Sequence, residues 1–198
     1  MDYSVSIVCG GKSRRMGQDK KSICWHGKTL LDRILHGFPG CDDLFLSIND
    51  ETTGVPAGIR AVKDIYPGCG PLSGLHASLL CMRSELLFAV SCDAPLIDQR
   101  TVQQLEPLLG GHMAVVPRTS DGRIHPLAGL YRRELGEIAD QQLRCGNYRV
   151  QDFLKQIDAV YLPGAVLPYG ELTLSNLNTP EDILHLEEKL KLNRFEGH

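Results

Sequence analysis

The sequence predicts an α/β fold, a single domain with a doubly wound, mostly parallel sheet and helices on both faces. Two observations carry this prediction. Strand-like apolar runs alternate with segments of helical periodicity along the chain, which is typical of parallel strands joined by crossover helices. The run "LLFAVSC" (86–92) is also apolar without interruption, as expected for a strand covered on both faces. Neither long irregular stretch, 118–126 or 163–171, resembles a linker, so we expect one domain over residues 1–198.

The first half of the chain is predicted to form a strand, then a short strand with a turn, and then strands and helices in alternation. The β-branched run "YSVSIVC" (3–9) is a strand that ends before two glycines. A short strand and a turn at His26-Gly27 precede a helix that begins near Thr29. The next predicted elements are strands at 43–49, 59–64 and 86–92 and a helix at 70–83.

Helix caps mark two elements of the second half. Asp98 is the predicted cap of a helix that ends at Leu109. Thr179 is the predicted N-cap of the last helix, with Pro180 at its first position and Asp182 placed to complete a capping box. The other elements are strands at 112–117, 125–131 and 159–163 and helices at 132–143 and 148–157.

Positive charge is concentrated in one early segment of an acidic chain. The net charge is -3, yet residues 12–28 hold six Lys or Arg against one Asp. A nucleic-acid-binding protein usually spreads basic charge over a face or has a basic pI, so nucleic acid is not an expected partner. Basic residues gathered in one segment suit a compact anion such as a polyphosphate.

Composition also excludes several classes of protein. No apolar run approaches the ~18 residues of a membrane span, and the N-terminus lacks the pattern of a secretory signal. The seven cysteines are odd in number and form no C-x-x-C pair, so neither a zinc site nor a disulfide framework is expected. We therefore expect a cytoplasmic protein with reduced cysteines and no membrane partner.

Ligand-binding residues are expected where the strands end. In open α/β sheets the ligand lies beyond the carboxyl ends of the strands. The candidate segments are 9–20, 47–50, 64–74, 92–95, 118–126 and 175–179.

The segment "CGGKSRRMGQDKK" (9–21) follows the first strand and contains the substring GKS. A Walker A loop would need glycine at position 6, where Ser6 stands, and glycines at 10, 11 and 17 do not fit G-x-G-x-x-G. What remains is a strand followed by G-G-x-S-x-R-M-G-x-D-K. Its glycines let backbone N–H groups approach phosphate oxygens, while Arg15 and Lys20 supply charge for a triphosphate.

Residues 8–20 resemble the signature [LV]-x-G-G-x-S-x-R-M-G-x-D-K of the molybdenum cofactor guanylyltransferases, the MobA type of the nucleotidyltransferase superfamily. Further segments resemble that family in the same order: "YPGCGPLSG", "SCDAPLI", "HPLAGLY", "NYRVQDFL" and "NLNTPEDI". The resemblance implies a Rossmann-like nucleotidyltransferase fold. It also implies Mg²⁺-dependent transfer of GMP from GTP to molybdopterin carrying molybdenum, with release of pyrophosphate.

The resemblance implies roles for residues at the strand ends. Backbone contacts with the nucleotide would come from Val8, Cys9, Gly10, Gly11, Lys12 and Ser13. Catalytic charge would come from Arg15, Lys20 and Asp93, and further nucleotide contacts from Asn49 and Asp64. Asp93 and Asn178 would hold Mg²⁺, and His125 and Arg149 would contact the pterin. The family context also allows transient contact with other proteins of molybdenum-cofactor biosynthesis or with recipient enzymes.

Each of these side chains has a structural alternative. Asp93 begins an Asp-x-Pro sequence that also forms turns, and Asn178 is of a type common in turns. Asp64 would accept the donors of guanine, bind a ribose hydroxyl, or be solvated at the surface. His125 and Arg149 would otherwise be a strand-edge histidine and a helix-surface arginine.

The chain departs from the family at two positions. Ser47 stands where the family often has Asn, so only Asn49 matches the Asn-x-Asn pattern. Cys9 stands where the family usually has Ala, and since no base is suggested beside it, we assign it no catalytic thiol role.

Three other functions are compatible with parts of this pattern. A sister enzyme would use CTP, but cytidylyl members tend to have Ala-Gly after the first strand, so Gly10 favours GTP. A sugar-1-phosphate nucleotidyltransferase usually has a longer chain and a different loop. A nucleotide-binding regulator without catalysis would not need Arg15, Lys20 and Asp93.

Overall fold

The structure of the chain, a computed structural model, describes residues 2–9, 23–49 and 55–196, apart from the side chains of 193–196. The strands are β1 (Ser4–Val8), β2 (Cys24–Trp25), β3 (Lys28–Thr29), β4 (Leu44–Ile48), β5 (Arg60–Lys63), β6 (Leu86–Ser91), β7 (Ala114–Arg118), β8 (Ala128–Arg132), β9 (Ala159–Pro163) and β10 (Pro168–Glu171). The helices are α1 (Leu30–His36), α2 (Pro71–Cys81), α3 (Gln99–Leu109), α4 (Leu135–Arg144), α5 (Val150–Gln156) and α6 (Pro180–Glu196).

Seven strands form one sheet in the order β5-β4-β1-β6-β8-β7-β9. β1 pairs in parallel with β4 and β6, β4 with β5, and β7 with β9. β8 runs antiparallel to both of its neighbours, β6 and β7. The predicted α/β class with a mostly parallel sheet is confirmed. After β1, the chain adds β4 and then β5 on one side of β1, and then adds β6 on the other side. The strand order therefore reverses between β1 and β6.

Strand β6 explains why one segment of the sequence is continuously apolar. Its Phe88 and Val90 pack into the layer formed with α1 and α3, whereas Leu87 and Ala89 pack into the layer formed with α2, α4 and α5. All four side chains are fully buried. The prediction of helices on both faces is therefore confirmed, and the two largest apolar clusters of the core are layers separated by the sheet.

Both predicted caps are present. The Asp98 carboxylate accepts a hydrogen bond from the Arg100 N–H (2.9 Å) at the start of α3. At α6 the Thr179 hydroxyl accepts from the Asp182 N–H (3.2 Å), and the Asp182 carboxylate accepts from the Thr179 N–H (2.8 Å). This reciprocal pair is the predicted capping box.

Several predicted boundaries were wrong, and the strand predicted over 125–131 begins only at Ala128. The helix predicted over 132–143 begins only at Leu135, because Arg132 still pairs with Leu86 as the last residue of β8. The helix predicted over 148–157 is limited to Val150–Gln156. The stretch 163–171, predicted to be irregular, contains a 3₁₀ turn at Gly164–Val166 and then β10.

Across the part of the chain that the structure describes, no helix is both long enough and apolar enough to cross a membrane.

Candidate functional site

The ends of the four strands nearest the reversal point meet at one edge of the sheet. Hydrogen bonds between backbone groups join these ends just beyond the strands: Cys9 N–H to Ser47 O (2.9 Å), Cys92 N–H to Val8 O (3.2 Å) and Asp64 N–H to Ile48 O (3.0 Å). Val8, Cys9, Asn49, Asp64 and Asp93, which the sequence singled out, therefore lie along a single edge. This edge is where an open α/β sheet binds its ligand.

Six predicted site residues lie outside the described residues: Gly10, Gly11, Lys12, Ser13, Arg15 and Lys20. They follow Cys9 in the chain, at the end of β1. Cys9 itself lies at the end of β1, which is placed between β4 and β6 in the sheet.

The carboxyl group of Asp64 is half-buried at the end of β5. Its Oδ1 accepts a hydrogen bond from the Ser47 hydroxyl (3.2 Å). Burial raises the pKa of Asp64 to about 6, against the opposing effect of hydrogen bonds from Ser47 and Ser73. Ser47, one of the two departures from the family pattern, thus supports this carboxylate. Above about pH 6 the group is a buried, ionised acceptor.

Asp93 lies two residues beyond β6 and is only 7% exposed. Its Oδ1 accepts a hydrogen bond from the Ser91 hydroxyl (2.6 Å), and its carbonyl accepts from the Leu177 N–H (2.8 Å). The second bond brings the segment before α6, with Asn178, back to the end of β6. The structure therefore brings together Asp93 and the neighbourhood of Asn178, although they are far apart in sequence.

The oxygen groups at this point fit a magnesium ion better than a metal held wholly by protein. The described residues contain no group of three His, Cys, Asp or Glu side chains that could hold a metal. Mg²⁺ prefers oxygen ligands and commonly takes one or two carboxylates together with substrate phosphates and water. The buried carboxylate of Asp93 and the amide of Asn178 are ligands of this kind.

Helix α2 approaches this edge through a glycine. A methyl group at Gly74 would lie 2.9 Å from the Ser47 hydroxyl oxygen, 2.9 Å from Val8 Cγ1 and 3.6 Å from Asp64 Oδ1. No side chain fits there unless the strand ends move. Gly74 therefore sets how closely α2 packs against β1, β4 and β5.

Substitution of Gly74 by alanine should change stability in the direction opposite to that expected from helix propensity. Ala at a helix interior is normally more stable than Gly by about 1 kcal/mol. We expect Gly74→Ala to lower the free energy of unfolding instead, by about 1–3 kcal/mol, because the added methyl overpacks the site. The measurement is urea unfolding, with Gly136→Ala in α4 as the control, since a methyl there meets the flexible end of Leu80 at 3.1 Å. Equal gains in both variants would contradict the expectation.

A cavity of about 590 Å³ lies at the same edge, beside the end of β7 and the start of β8. Its lining includes the predicted residues His125 and Asn178. The remaining residues that line it are Thr119, Asp121, Arg123, Tyr169, Gly170, Glu171, Leu172, Leu174, Ser175, Asn176 and Lys189. The part of the cavity lined by Asn178 is therefore close to Asp93. Other parts of the lining carry charged side chains of both signs.

His125 is a neutral donor or acceptor in this cavity. Its Nε2 is buried without a hydrogen-bond partner in the described structure. Burial lowers the pKa of His125, Arg123 lowers it further, and Asp121 and Glu171 oppose this effect.

Arg149 lies elsewhere. It occupies the N-cap position of α5, is exposed, and does not line the cavity that contains His125. Its neighbour Tyr148 contacts Cys69 in the loop between β5 and α2, and this contact raises the pKa of Tyr148. The structure therefore does not bring together the two residues predicted to contact a pterin.

Several residues of the site escaped the sequence reasoning. Ser73 and Gly74 fall in the candidate segment 64–74, of which only Asp64 was named, because the sequence does not indicate which side of the predicted helix faces a strand end. Asp121 and Arg123 fall in the segment 118–126, which was a candidate without individual residues. Glu171 and Lys189 follow no sheet strand, so the strand-end rule could not find them.

The chain was compared with known proteins. Residues 5–160 match the family model of the MobA-like NTP transferase domain. A Bacillus subtilis protein named "probable molybdenum cofactor guanylyltransferase" is 29% identical over 199 residues, which cover 96% of either chain. A protein of the same name from Pelotomaculum thermopropionicum is 29% identical over 182 residues, covering 90% of this chain and 88% of the relative.

Solved structures share the fold. Molybdopterin-guanine dinucleotide biosynthesis protein A from Archaeoglobus fulgidus superposes with a TM-score of 0.78 at 21% identity, covering 96% of this chain and 99% of that one. 2-C-methyl-D-erythritol 4-phosphate cytidylyltransferase from Thermus thermophilus superposes with a TM-score of 0.70 at 15% identity, covering 96% and 100%. The predicted Rossmann-like nucleotidyltransferase fold is confirmed.

Proposed function

Because the chain belongs to the MobA-like NTP transferase family, we propose that it transfers GMP from GTP to molybdopterin carrying molybdenum and releases pyrophosphate. The observation that supports this most is the meeting of Asp64, Asp93 and the Asn178 segment at the carboxyl edge where β1 ends. The relatives named above support the choice of nucleotide and acceptor.

Asp64 supports guanine as the base. Guanine presents two adjacent donors, N1–H and N2–H₂, which one ionised carboxylate accepts together. Cytosine presents an acceptor, N3, in place of such a donor, and a buried carboxylate facing it would be repelled. Asn49 and the backbone of residues 8–13 would complete the nucleotide site. A contact of Asp64 with a ribose hydroxyl is the alternative, and it would leave the base unselected.

Charge stabilisation of the phosphates is assigned to the segment after β1. Its backbone N–H groups, with Arg15 and Lys20, would hold the triphosphate and stabilise the negative charge of the departing pyrophosphate. Direct in-line attack by the acceptor phosphate on the α-phosphorus requires positioning and charge neutralisation, and no protein nucleophile.

Asp93 and Asn178 are the residues that would hold Mg²⁺. When bound there, the ion supplies Lewis-acid polarisation of the α-phosphate. Ser91 keeps the Asp93 carboxylate oriented through its hydroxyl, which donates to Oδ1.

The cavity beside Asn178 is the proposed place of the pterin acceptor. His125, whose ring is neutral, lines this cavity and would contact the acceptor there. Arg149, which is exposed on α5, would reach only a part of the acceptor that extends away from this cavity.

Thermal stabilisation by nucleotides tests the proposed substrate. The melting temperature is measured with Mg²⁺ and each of GTP, CTP, ATP and UTP. We expect GTP to raise it by several degrees, since a ligand at about 100 times its Kd adds about 2.7 kcal/mol to the free energy of unfolding. A shift with CTP and none with GTP would overturn the proposal in favour of a cytidylyltransferase.

The raised pKa of Asp64 predicts how GTP affinity depends on pH. The ionised carboxylate accepts the guanine donors, so binding is strong above about pH 6 and weakens as pH falls through that value. We expect the Kd of Mg-GTP to rise up to about tenfold per pH unit below pH 6. Calorimetric titration between pH 5 and 8 measures this.

The triphosphate titrates in the same range, so a reference variant is needed. Asp64→Asn keeps an acceptor for the Ser47 hydroxyl but cannot ionise, and its pH profile reports the triphosphate alone. Identical profiles for the wild-type protein and this variant would contradict the role of Asp64.

A further inference from the structure

A polar network lies behind the proposed nucleotide site, between α4 and the loop that joins β5 to α2. The Tyr66 hydroxyl donates a hydrogen bond to Asp140 Oδ1 (2.8 Å). Arg144 Nε donates to the Tyr66 hydroxyl oxygen (3.3 Å) and forms an ion pair with the other oxygen of the Asp140 carboxylate (2.9 Å). Asp140 is thus the junction between helix α4 and a loop residue that follows Asp64 by two positions.

Two further contacts fix the same loop, residues 65–70. The Ser73 hydroxyl donates to the Tyr66 carbonyl (2.7 Å) and is also a hydrogen-bonding neighbour of the Asp64 carboxyl. The Gly68 N–H donates to Asn49 Oδ1 (3.2 Å). The 65–70 loop is therefore tied at three points: to the end of β4, to the first turn of α2, and to α4 through Tyr66.

A buried histidine packs against Tyr66 and Asp140 of this network. His76 of α2 is fully buried, its ring centroid lies 5.5 Å from that of Tyr66, and its Nε2 lies 3.5 Å from Asp140 Oδ1. Among the residues that the structure describes, neither ring nitrogen has a hydrogen-bond partner. Burial lowers the pKa of His76, Asp140 opposes this and Arg144 lowers it further, so the ring is neutral at neutral pH.

We propose that Asp140 is a positioning residue for the nucleotide base, acting through Tyr66. The carboxylate fixes the position of the Tyr66 side chain. Tyr66 in turn fixes the 65–70 loop beside Asp64 and Asn49, the residues that would contact the base. This inference rests on the proposed function, because it takes the ligand at Asp64 to be a nucleoside triphosphate. Asp140 touches no reacting atom, so its loss affects the binding of GTP and spares the chemical step.

Three variants test the proposal. Tyr66→Phe removes the donor, Asp140→Ala removes the acceptor, and Asp140→Asn keeps an acceptor oxygen for the Tyr66 hydroxyl. Glu137→Ala is the matched control, since it removes an exposed carboxylate from the same helix. The readouts are the KM for GTP, kcat, the Kd of Mg-GTP by calorimetry, and the melting temperature.

We expect Tyr66→Phe and Asp140→Ala each to raise KM and Kd for GTP about fivefold to tenfold, with kcat within about twofold of wild type. The double variant should show less than the sum of the two single effects, because both substitutions remove the hydrogen bond between Tyr66 and Asp140. Asp140→Asn and the Glu137→Ala control should stay within about twofold of wild type in KM.

Two results separate the possible failures. If the wild-type protein binds GTP but Tyr66→Phe and Asp140→Ala bind it equally well, whatever their melting temperatures, the positioning role is overturned and the proposed function stands. If the wild-type protein binds no GTP in the presence of Mg²⁺, the proposed function itself is overturned.

Discussion

Replacement of Asp93 by Asn should lower kcat for nucleotidyl transfer by at least about 10³-fold, equivalent to about 4 kcal/mol of transition-state stabilisation. The substitution removes the negative charge that Asp93 would offer to a metal beside the phosphates, and Asn keeps the oxygen that accepts the Ser91 hydroxyl. Because the shape and this hydrogen bond survive, the melting temperature should change little. The measurement is pyrophosphate release at saturating GTP and Mg²⁺.

Ser91→Ala is the control for this prediction. It removes the hydrogen bond to Asp93 but leaves the charge, so kcat should fall by less than about tenfold. If Asp93→Asn stayed within tenfold of wild type in magnesium-dependent activity, the role of Asp93 would be wrong.

Replacement of Asp43 by Ala should cause the largest loss of stability. Asp43 is buried just before β4, at the edge of the sheet opposite the site. Its carboxylate accepts from the Ser4 hydroxyl (2.5 Å), the Arg83 N–H (2.8 Å) and Arg60 (2.6 Å). It thereby joins β1, β4, β5 and the segment before β6.

Loss of this carboxylate leaves buried donors and Arg60 without their acceptor, which costs about 3–5 kcal/mol. For a chain of this size each kcal/mol corresponds to about 2–4 °C in Tm, so we expect a fall of roughly 6–20 °C. Although burial opposes them, the hydrogen bonds from Ser4, Arg83 and Arg60 keep the pKa of Asp43 below its ordinary value. The stabilisation is therefore present at neutral pH and is lost as pH falls through the lowered pKa.

Asp42→Ala is the matched control, because Asp42 is the exposed neighbour of Asp43. Urea unfolding followed by far-UV circular dichroism should show a change within about 0.5 kcal/mol for Asp42→Ala. A similar small change for Asp43→Ala would show that the buried contacts do not stabilise the fold.

The elements of the fold could be predicted wherever a local signal decides them. The capping box of Thr179 and Asp182 fixes the start of α6 within four residues, and continuous apolarity identifies β6. Strand direction is not a local signal. The segment "HPLAGLY" would bury the same side chains in either direction, so the antiparallel orientation of β8 could not be predicted.

The candidate site was predictable to the extent that strand ends define it. Asp64 and Asp93 follow apolar strands, and the topology brings them to one edge. The raised pKa of Asp64 depends on burial, which is a tertiary property that no motif contains. Arg149 shows that a motif alone does not place a residue in a site. Its motif resembles that of the family, yet the structure separates it from the cavity lined by His125.

Transfer of label from nucleotide to pterin tests the central claim most directly. The protein is incubated with Mg²⁺, molybdopterin carrying molybdenum, and either GTP or CTP labelled at the α-phosphate, and the label in the pterin product is counted. We predict that label from GTP enters the pterin with one pyrophosphate released per transfer, and that label from CTP does not. Transfer from CTP instead, or pyrophosphate release from GTP without label in the pterin, would contradict the proposed guanylyl transfer.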